Sequence, residues 1–169
     1  VYKRQSLYNH YKDEFSNYYY KRNGLNVAVT SIIPIKKDWL MLGTAEGILL
    51  FDVKKECFLS DTLSSSLHGL QPAALVRQDD CIYIGTEEGV YIYTLSNGIL
   101  EKLVDMPAGI RVHAILCQMF NRIWLATEGD GLYLYDMKTK ELKNYRYEDG
   151  KSGLNSNYVR SLALDTDCL

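Results

Sequence analysis

The sequence predicts an all-β fold, a β-propeller fragment of about three complete four-stranded blades with parts of two flanking blades. The first observation is a short cassette that occurs three times, with its small central residue at positions 43, 85 and 126. The steps of 42 and 41 residues match the length of a propeller blade. The second is that no stretch shows the long 3.6-residue apolar period of a helix, so we expect almost no helix.

The cassettes are Leu42–Gly47, Ile84–Gly89 and Leu125–Gly131. Each is preceded, two residues before its small residue, by a large side chain, and the three are Met41, Tyr83 and Trp124. Each is followed by an apolar run, and the three runs are Ile48–Phe51, Val90–Tyr93 and Leu132–Tyr135. Runs rich in Val, Ile, Leu and Tyr with turn residues between them are typical of short strands.

The turn signals predict four strands in each unit. They are expected near 27–35, 39–44, 47–53 and 56–60, then 72–78, 81–86, 89–95 and 99–104, then 110–118, 122–127, 131–137 and 140–146. The predicted domain organisation is the end of a preceding blade at 1–25, blades at 26–66, 67–106 and 107–151, and the inner strand of a truncated next blade at 152–169. We therefore interpret the chain as a piece of a larger protein whose remaining blades are its partners.

Composition indicates an ordinary globular protein, with 47% apolar residues and a net charge of −2. Nucleic-acid binding requires a clustered basic face, and none is present. No apolar run reaches 18 residues, so we expect no membrane contact by this segment. The three histidines are far apart in the repeat, and the four cysteines lack metal-ligand spacing. We expect no cofactor and no metal.

The cysteines are interpreted as small buried apolar residues. They are Cys57, Cys81, Cys117 and Cys168. A disulfide stays open as an alternative if the compartment is oxidising, but the sequence does not say which cysteines would pair.

Two segments carry a resemblance to a known family. Asn157–Asp165 followed by Asp167, and Arg122–Asp136, resemble the two-component regulator propeller repeat. That repeat runs roughly N-x-V-x-x-I-x-x-D, a short turn, then l-W-i-G-T-x-x-G-G-l-x-x-y-d. The resemblance covers about residues 24–169. Its Trp is Trp124 in the third unit, whereas Tyr83 and Met41 stand there in the second and first units, which also lack the second Gly.

The resemblance implies a sensor function. Members of the family that the chain resembles are large sensor proteins of hybrid two-component systems in gut Bacteroidetes. They often contain two seven-bladed propellers. The resemblance implies a periplasmic location for the propellers, an inner-membrane full-length protein that can form a homodimer, and a histidine kinase, a receiver and a DNA-binding region downstream. Many such sensors respond to oligosaccharides, so an oligosaccharide is the expected ligand.

The recurrence of the cassette residues in all three units favours structural roles for them over catalytic ones. The cassette threonines Thr44, Thr86 and Thr127 are expected to bond the backbone of their own turns rather than act as nucleophiles. The small residue before each is expected to admit the next blade closely. The acidic residues after them are expected at solvated hairpin tips, and they are Glu46, Glu87, Glu88, Glu128 and Asp130. Most tyrosines of the repeat, namely Tyr91, Tyr93, Tyr133 and Tyr135, are expected to pack against a neighbouring sheet. No catalytic residue is expected.

A candidate ligand site follows from one variable repeat position. The innermost strands align on Ile32, Leu75, Ile115 and Leu162, and two residues earlier stand Thr30, Ala73, His113 and Arg160. The loop just before also varies, with Asn26, Gln71, Arg111 and Asn157. Propeller ligands usually bind where such loops converge. The predicted ligand-binding residues are Arg111, His113, Asn157 and Arg160, and ordinary surface variation is the alternative.

Three functions remain open at this point. The first is the extracytoplasmic, glycan-responsive sensor of a hybrid two-component system, with no enzymatic activity in this segment. The second is a propeller that serves as a protein–protein interaction platform without a signalling role. The third, polysaccharide degradation, lacks a convergent acid and base.

Overall fold

A computed structural model of the chain describes residues 5–9, 11–22, 25–59, 67, 69–118, 121–149 and 153–164. All regular elements in these residues are β-strands, which confirms the all-β prediction. The chain divides into two compact units, Val1–Pro72 and Ala73–Leu169. None of the described residues forms a helix of the length and hydropathy that a membrane span requires.

The first unit contains two hairpins and one four-stranded sheet. The hairpin strands are β1 (Gln5–Asn9) with β2 (Glu14–Tyr18), and β3 (Lys21–Arg22) with β4 (Leu25–Asn26). The sheet is an antiparallel meander of β5 (Val29–Lys36), β6 (Trp39–Thr44), β7 (Gly47–Asp52) and β8 (Cys57–Leu59). The rings of Tyr18 and Phe51 lie 4.9 Å apart, so the hairpin end packs on this sheet.

The second unit contains two further antiparallel meanders. One consists of β9 (Ala74–Gln78), β10 (Cys81–Gly85), β11 (Gly89–Thr94) and β12 (Ile99–Asp105). The other consists of β13 (Val112–Gln118), β14 (Arg122–Thr127), β15 (Leu132–Asp136) and β16 (Leu142–Tyr145). These bounds lie within two residues of the predicted strands, because alternating apolar residues and turn formers mark both ends of each strand.

The two sheets of the second unit share a buried core. Its members include Tyr83 on β10, Val112 and Ile115 on β13, Leu125 on β14 and Tyr133 on β15. The approach is closest at Gly85, where a Cβ would lie 2.9 Å from Val112 Cγ1. The second sheet therefore admits the third at a position where a side chain would collide, as expected for the small cassette residue.

Residues 153–164 form no strand. Tyr158 makes an isolated bridge to Glu128, and the Val159 N–H donates to Thr127 O at 3.0 Å. A strand is assigned where its backbone pairs with a neighbouring strand. Among the described residues, no strand pairs with Leu162 or the residues next to it. The assignment of this segment to the inner strand of a next blade, like the other predicted domain boundaries, stays a prediction.

Candidate functional site

The cassette turns lie where the second strand of each sheet ends and the third begins. In each turn a buried Thr hydroxyl donates to the carbonyl oxygen of the following Gly, at 2.7 Å from Thr44 to Gly47, 3.0 Å from Thr86 to Gly89 and 2.7 Å from Thr127 to Gly131. In the first two turns the hydroxyl also accepts an N–H, from Glu46 and Glu88 at 3.1 Å. The structural interpretation of these threonines is confirmed, since their hydroxyls are committed to the backbone.

One acidic cassette residue differs from expectation. Glu46, Glu87, Glu88 and Glu128 are exposed as predicted, but Asp130 is only 8% exposed. Its carboxylate accepts hydrogen bonds from the Tyr133 hydroxyl and from Asn144 Nδ2, and Oδ1 lies 3.1 Å from Arg146 Nη1. The prediction of a solvated tip was wrong for Asp130, because two side chains from the adjoining strands and one arginine surround its carboxylate.

The repeat tyrosines are mostly buried, as predicted. Tyr93, Tyr133 and Tyr135 are buried, whereas Tyr91 is half-buried and its hydroxyl donates to Glu88 Oε2 at 3.0 Å. Burial, reinforced by the hydrogen bond to Asp130, raises the pKa of Tyr133 to about 12. These side chains therefore serve packing, and Tyr133 keeps its proton at neutral pH.

The candidate ligand residue Arg111 lies in the second unit, directly before β13. Its Nη1 lies 3.7 Å from Glu87 Oε1 in the cassette turn of the preceding sheet. Its backbone carbonyl accepts the N–H of Glu128 at 3.0 Å. Its Nε is buried and has no hydrogen-bond partner among the described residues. An unsatisfied buried donor is costly, so Arg111 has hydrogen-bonding capacity that its protein neighbours do not use.

His113 lies at a β-bulge, since the pairing of β13 with β14 shifts between Val112 and Ala114. A bulge re-aims a side chain and is over-represented next to functional sites. The His113 Nε2 lies 2.9 Å from Glu128 Oε2, and both side chains are partly exposed. The same shift occurs in the first unit at Thr30, between Val29 and Ser31. The repeat position that varies, occupied by Thr30 in β5 and His113 in β13, therefore lies at a β-bulge in both strands.

Asn157 and Arg160 follow in the segment after the third sheet. The Asn157 carbonyl accepts the N–H groups of Gly129 at 3.1 Å and Gly131 at 2.8 Å. Its Oδ1 accepts the N–H of Tyr147 at 2.7 Å. Two of its acceptors therefore hold the third cassette and the chain after β16. Arg160 is exposed and makes no hydrogen bond or ion pair with the part of the chain that the structure describes.

The structure therefore connects Arg111, His113 and Asn157 to one set of turns in the second unit. Arg111 bonds through its carbonyl to Glu128, His113 bonds through its ring to the same residue, and Asn157 bonds to the glycines that follow it. Arg160 follows one residue after Val159, whose N–H bonds to Thr127 O. Such a surface supplies hydrogen-bond donors and acceptors for a polar ligand.

Sequence reasoning missed the acidic partners of these residues. Glu87 and Glu128 occupy the same cassette position, directly after the threonine, where the first cassette has Ala45. That substitution within a repeated framework was the available signal. Among the described residues, no group of three or more His, Cys, Asp or Glu side chains is placed to hold a metal ion.

Comparisons by sequence find no matching protein-family model and no matching curated protein. Solved structures share the fold. The extracellular domain of the proposed one-component system BT4673 of B. thetaiotaomicron superposes with a TM-score of 0.78 at 22% identity, over 98% of this chain and 23% of that chain. The extracellular domain of the proposed hybrid two-component system BT3049 of B. thetaiotaomicron superposes with a TM-score of 0.56 at 20% identity, over 95% of this chain and 28% of that chain.

A third structure, PorZ, is a surface component of the type-IX secretion system of Porphyromonas gingivalis. It gives a TM-score of 0.64 at 20% identity, over 95% of this chain and 26% of that chain. The chain thus spans about a quarter of the length of these structures. At such identities the likeness shows the fold, and it is consistent with the resemblance to the two-component regulator propeller repeat.

Proposed function

We propose that this chain is part of the extracytoplasmic, ligand-sensing propeller of a hybrid two-component histidine kinase. The observations that support the proposal are the structural matches to the extracellular domain of a proposed one-component system over 98% of the chain and to that of a proposed hybrid two-component system over 95% of it, together with the repeat residues that resemble the same kind of protein. Fold alone does not imply function, so the surface of the second unit supplies the second support. The segment itself binds and does not catalyse. The remaining blades and a second copy of the full-length protein are its proposed partners.

The proposed ligand is an oligosaccharide, bound in the periplasm at Arg111, His113, Asn157 and Arg160. A sugar presents many hydroxyl groups, which pair with planar guanidinium donors and with carboxylate acceptors. Arg111 and His113 each lie beside a carboxylate, so the surface offers both kinds of group. Arg160 is the most available of the four, because no described residue occupies its guanidinium.

Calorimetry of the complete extracytoplasmic region against an oligosaccharide panel tests the site. For an oligosaccharide that the wild type binds, Arg160→Ala should weaken binding by about 1–3 kcal/mol if the arginine makes a charge-assisted bond. Arg122→Ala is the matched control, because Arg122 begins β14 at the end of the sheet opposite to the cassette and pairs with Asp136. Equal affinity of wild type and Arg160→Ala would remove Arg160 from the site.

The sensor assignment is tested separately by sequencing the coding region around this segment. A downstream membrane helix and histidine kinase are the expected result. Their absence from the complete gene would contradict the sensor proposal and favour an interaction platform.

A further inference from the structure

Two cysteines of the second unit lie on the two sheets that pack against each other, one cysteine on each sheet. Cys81 is the first residue of β10, and Cys117 is the last residue but one of β13. Both are partly buried, both are free thiols, and both pack against the apolar cluster that the two sheets share. The exposed Cys57 belongs to the first unit and lies outside this cluster.

The registers place the two thiols at the same level of the interface. The two sheets touch at Gly85 and Val112, where a Cβ on Gly85 would meet Val112 Cγ1. Side chains alternate along a strand, so Cys81 lies on the same face of β10 as Gly85, four residues away. On β13, Cys117 lies five residues from Val112, and the bulge at His113 absorbs the odd residue, so it shares the face of Val112.

A cleft at this end of the interface gives a second indication. It has a volume of about 310 Å³, and its lining includes Cys81, Gln118 and Ile123. Gln118 is the chain neighbour of Cys117, and Ile123 is its cross-strand partner. Cys81 therefore lies beside the immediate surroundings of Cys117. The cleft also includes the exposed Asp79 and Asp80, so a reagent from solvent reaches this region.

The electrostatics agree with proximity. Burial, with a smaller contribution from Cys81, raises the pKa of the Cys117 thiol to about 11. Tyr83, which lies on the same face of β10, has its pKa raised to about 12 by burial and then by Cys117 and Cys81. A thiol with a raised pKa holds little thiolate at neutral pH and oxidises slowly.

We propose that Cys81 and Cys117 form a disulfide that joins the second and third sheets in an oxidising compartment. The Cys81 thiolate attacks one sulfur of an incoming small-molecule or protein disulfide, and the other sulfur leaves as a thiolate. The Cys117 thiolate then attacks the Cys81 sulfur of the mixed disulfide and releases the second thiolate. The two cysteines lose two protons and two electrons, which reduce the incoming disulfide to two thiols. The oxidising location rests on the proposed function, whereas the pairing of the two cysteines rests on the structure of the chain itself.

The bond would close a loop of about 36 residues and add a covalent link between two sheets that are otherwise held by side-chain packing and by contacts such as the hydrogen bond from the Val112 N–H to Thr86 O at 3.2 Å. Closing such a loop restricts the unfolded chain, and the folded state gains stability. In a repeat array, it would also prevent the two blades from separating at this interface.

The test uses the whole chain with Cys57→Ser and Cys168→Ser, so that only Cys81 and Cys117 remain. After incubation with oxidised glutathione, we expect an intact mass about 2 Da below that of the reduced protein and a proteolytic peptide that links the two cysteines. The thermal midpoint should rise by about 5–10 °C and return on reduction. The matched control, Cys81→Ser with Cys168→Ser, keeps Cys57 and Cys117 and should yield glutathione adducts without an internal link.

Glutathione adducts on both cysteines without a linked peptide would overturn the pairing, wherever the protein resides. A linked peptide in the purified chain would establish it. Thiol alkylation of the native cells then tests the compartment alone. If the purified chain forms the bond but both cysteines are alkylated in cells, the oxidising location is wrong, while the pairing stands.

Discussion

Buried polar side chains in the described residues are concentrated in and beside the cassettes. Thr44, Thr86, Thr127 and Asp130 all belong to cassette turns, and each has a hydrogen-bond partner a few residues away. A buried hydroxyl without a partner would cost about 1–3 kcal/mol. The threonine therefore closes the turn locally, which explains why this residue type recurs in all three cassettes.

Replacing Thr127 by Val should reduce the free energy of unfolding by about 1 kcal/mol, because Val keeps the shape but cannot donate to the Gly131 carbonyl. Thr139→Val is the matched control, since Thr139 lies in an exposed turn, and its effect should stay within about 0.5 kcal/mol. Urea unfolding of the chain measures both. Equal stability of the two variants would contradict the role of the hydroxyl.

At the scale of the element, aspartate closes two hairpins in the same way. Asp52 Oδ1 accepts the N–H groups of Lys54 and Lys55 after β7, at 3.0 and 2.9 Å. Asp136 Oδ1 accepts those of Lys138 and Thr139 after β15, at 2.9 and 3.1 Å. A side chain that mimics a turn carbonyl fixes where the third strand stops. The two turns therefore have equivalent chemistry in different units.

The turn after β15 should make stability depend on pH. The N–H bonds from Thr139 and Lys138, followed by Arg122, lower the pKa of Asp136. A lowered folded-state pKa contributes stability above the unfolded value of about 4, and this contribution is lost as the pH falls through the folded-state pKa. Asp136→Asn should therefore be less stable than the wild type at pH 7, and the difference should vanish at low pH. Urea unfolding from pH 7 to pH 2 measures it.

The exposed Glu101→Gln provides the control, because it removes one carboxylate from β12 without removing a turn. Its difference from the wild type should change little over the same range. A difference between Asp136→Asn and the wild type that grows below pH 4 would contradict the assigned direction.

Strands were predictable because their signals are local. Turn formers and alternating apolar residues bound each strand, so the expected limits of β5 to β16 agree with the structure within two residues. The bulge at His113 was not predictable, since it depends on pairing with β14. The burial of Asp130 depends on Asn144 and Arg146 beyond the turn, and the proximity of Cys81 to Cys117 depends on two sheets packing. Such information is long-range and is absent from a single repeat unit.

At the scale of the whole molecule, the two sheets of the second unit each use one face to contact the other. Gly85 shows this in the second unit, since a Cβ there would collide with Val112 on the next sheet. In the first unit, an apolar pocket on one sheet face is lined by residues of the sheet and of the first hairpin, namely Ile32, Leu40, Leu42, Phe51 and Phe58 with Ser6 and Tyr18. Ile32 is 52% exposed, although it projects from the middle of β5. Exposed apolar surface in the centre of a sheet is typical of an interaction site.

The chain in isolation should therefore self-associate through this face. We expect light scattering of the purified chain to give an apparent mass above that of the 19.4 kDa monomer and to rise with concentration. Ile32→Ser should lower the apparent mass, because it removes the largest exposed apolar side chain of the face. Ile99→Ser is the matched control, since Ile99 is similarly exposed on the outer strand β12 and should leave the association unchanged. A monodisperse monomer for the wild type would show that this face needs no partner. Equal effects of the two variants would indicate non-specific hydrophobic association instead of a defined interaction surface.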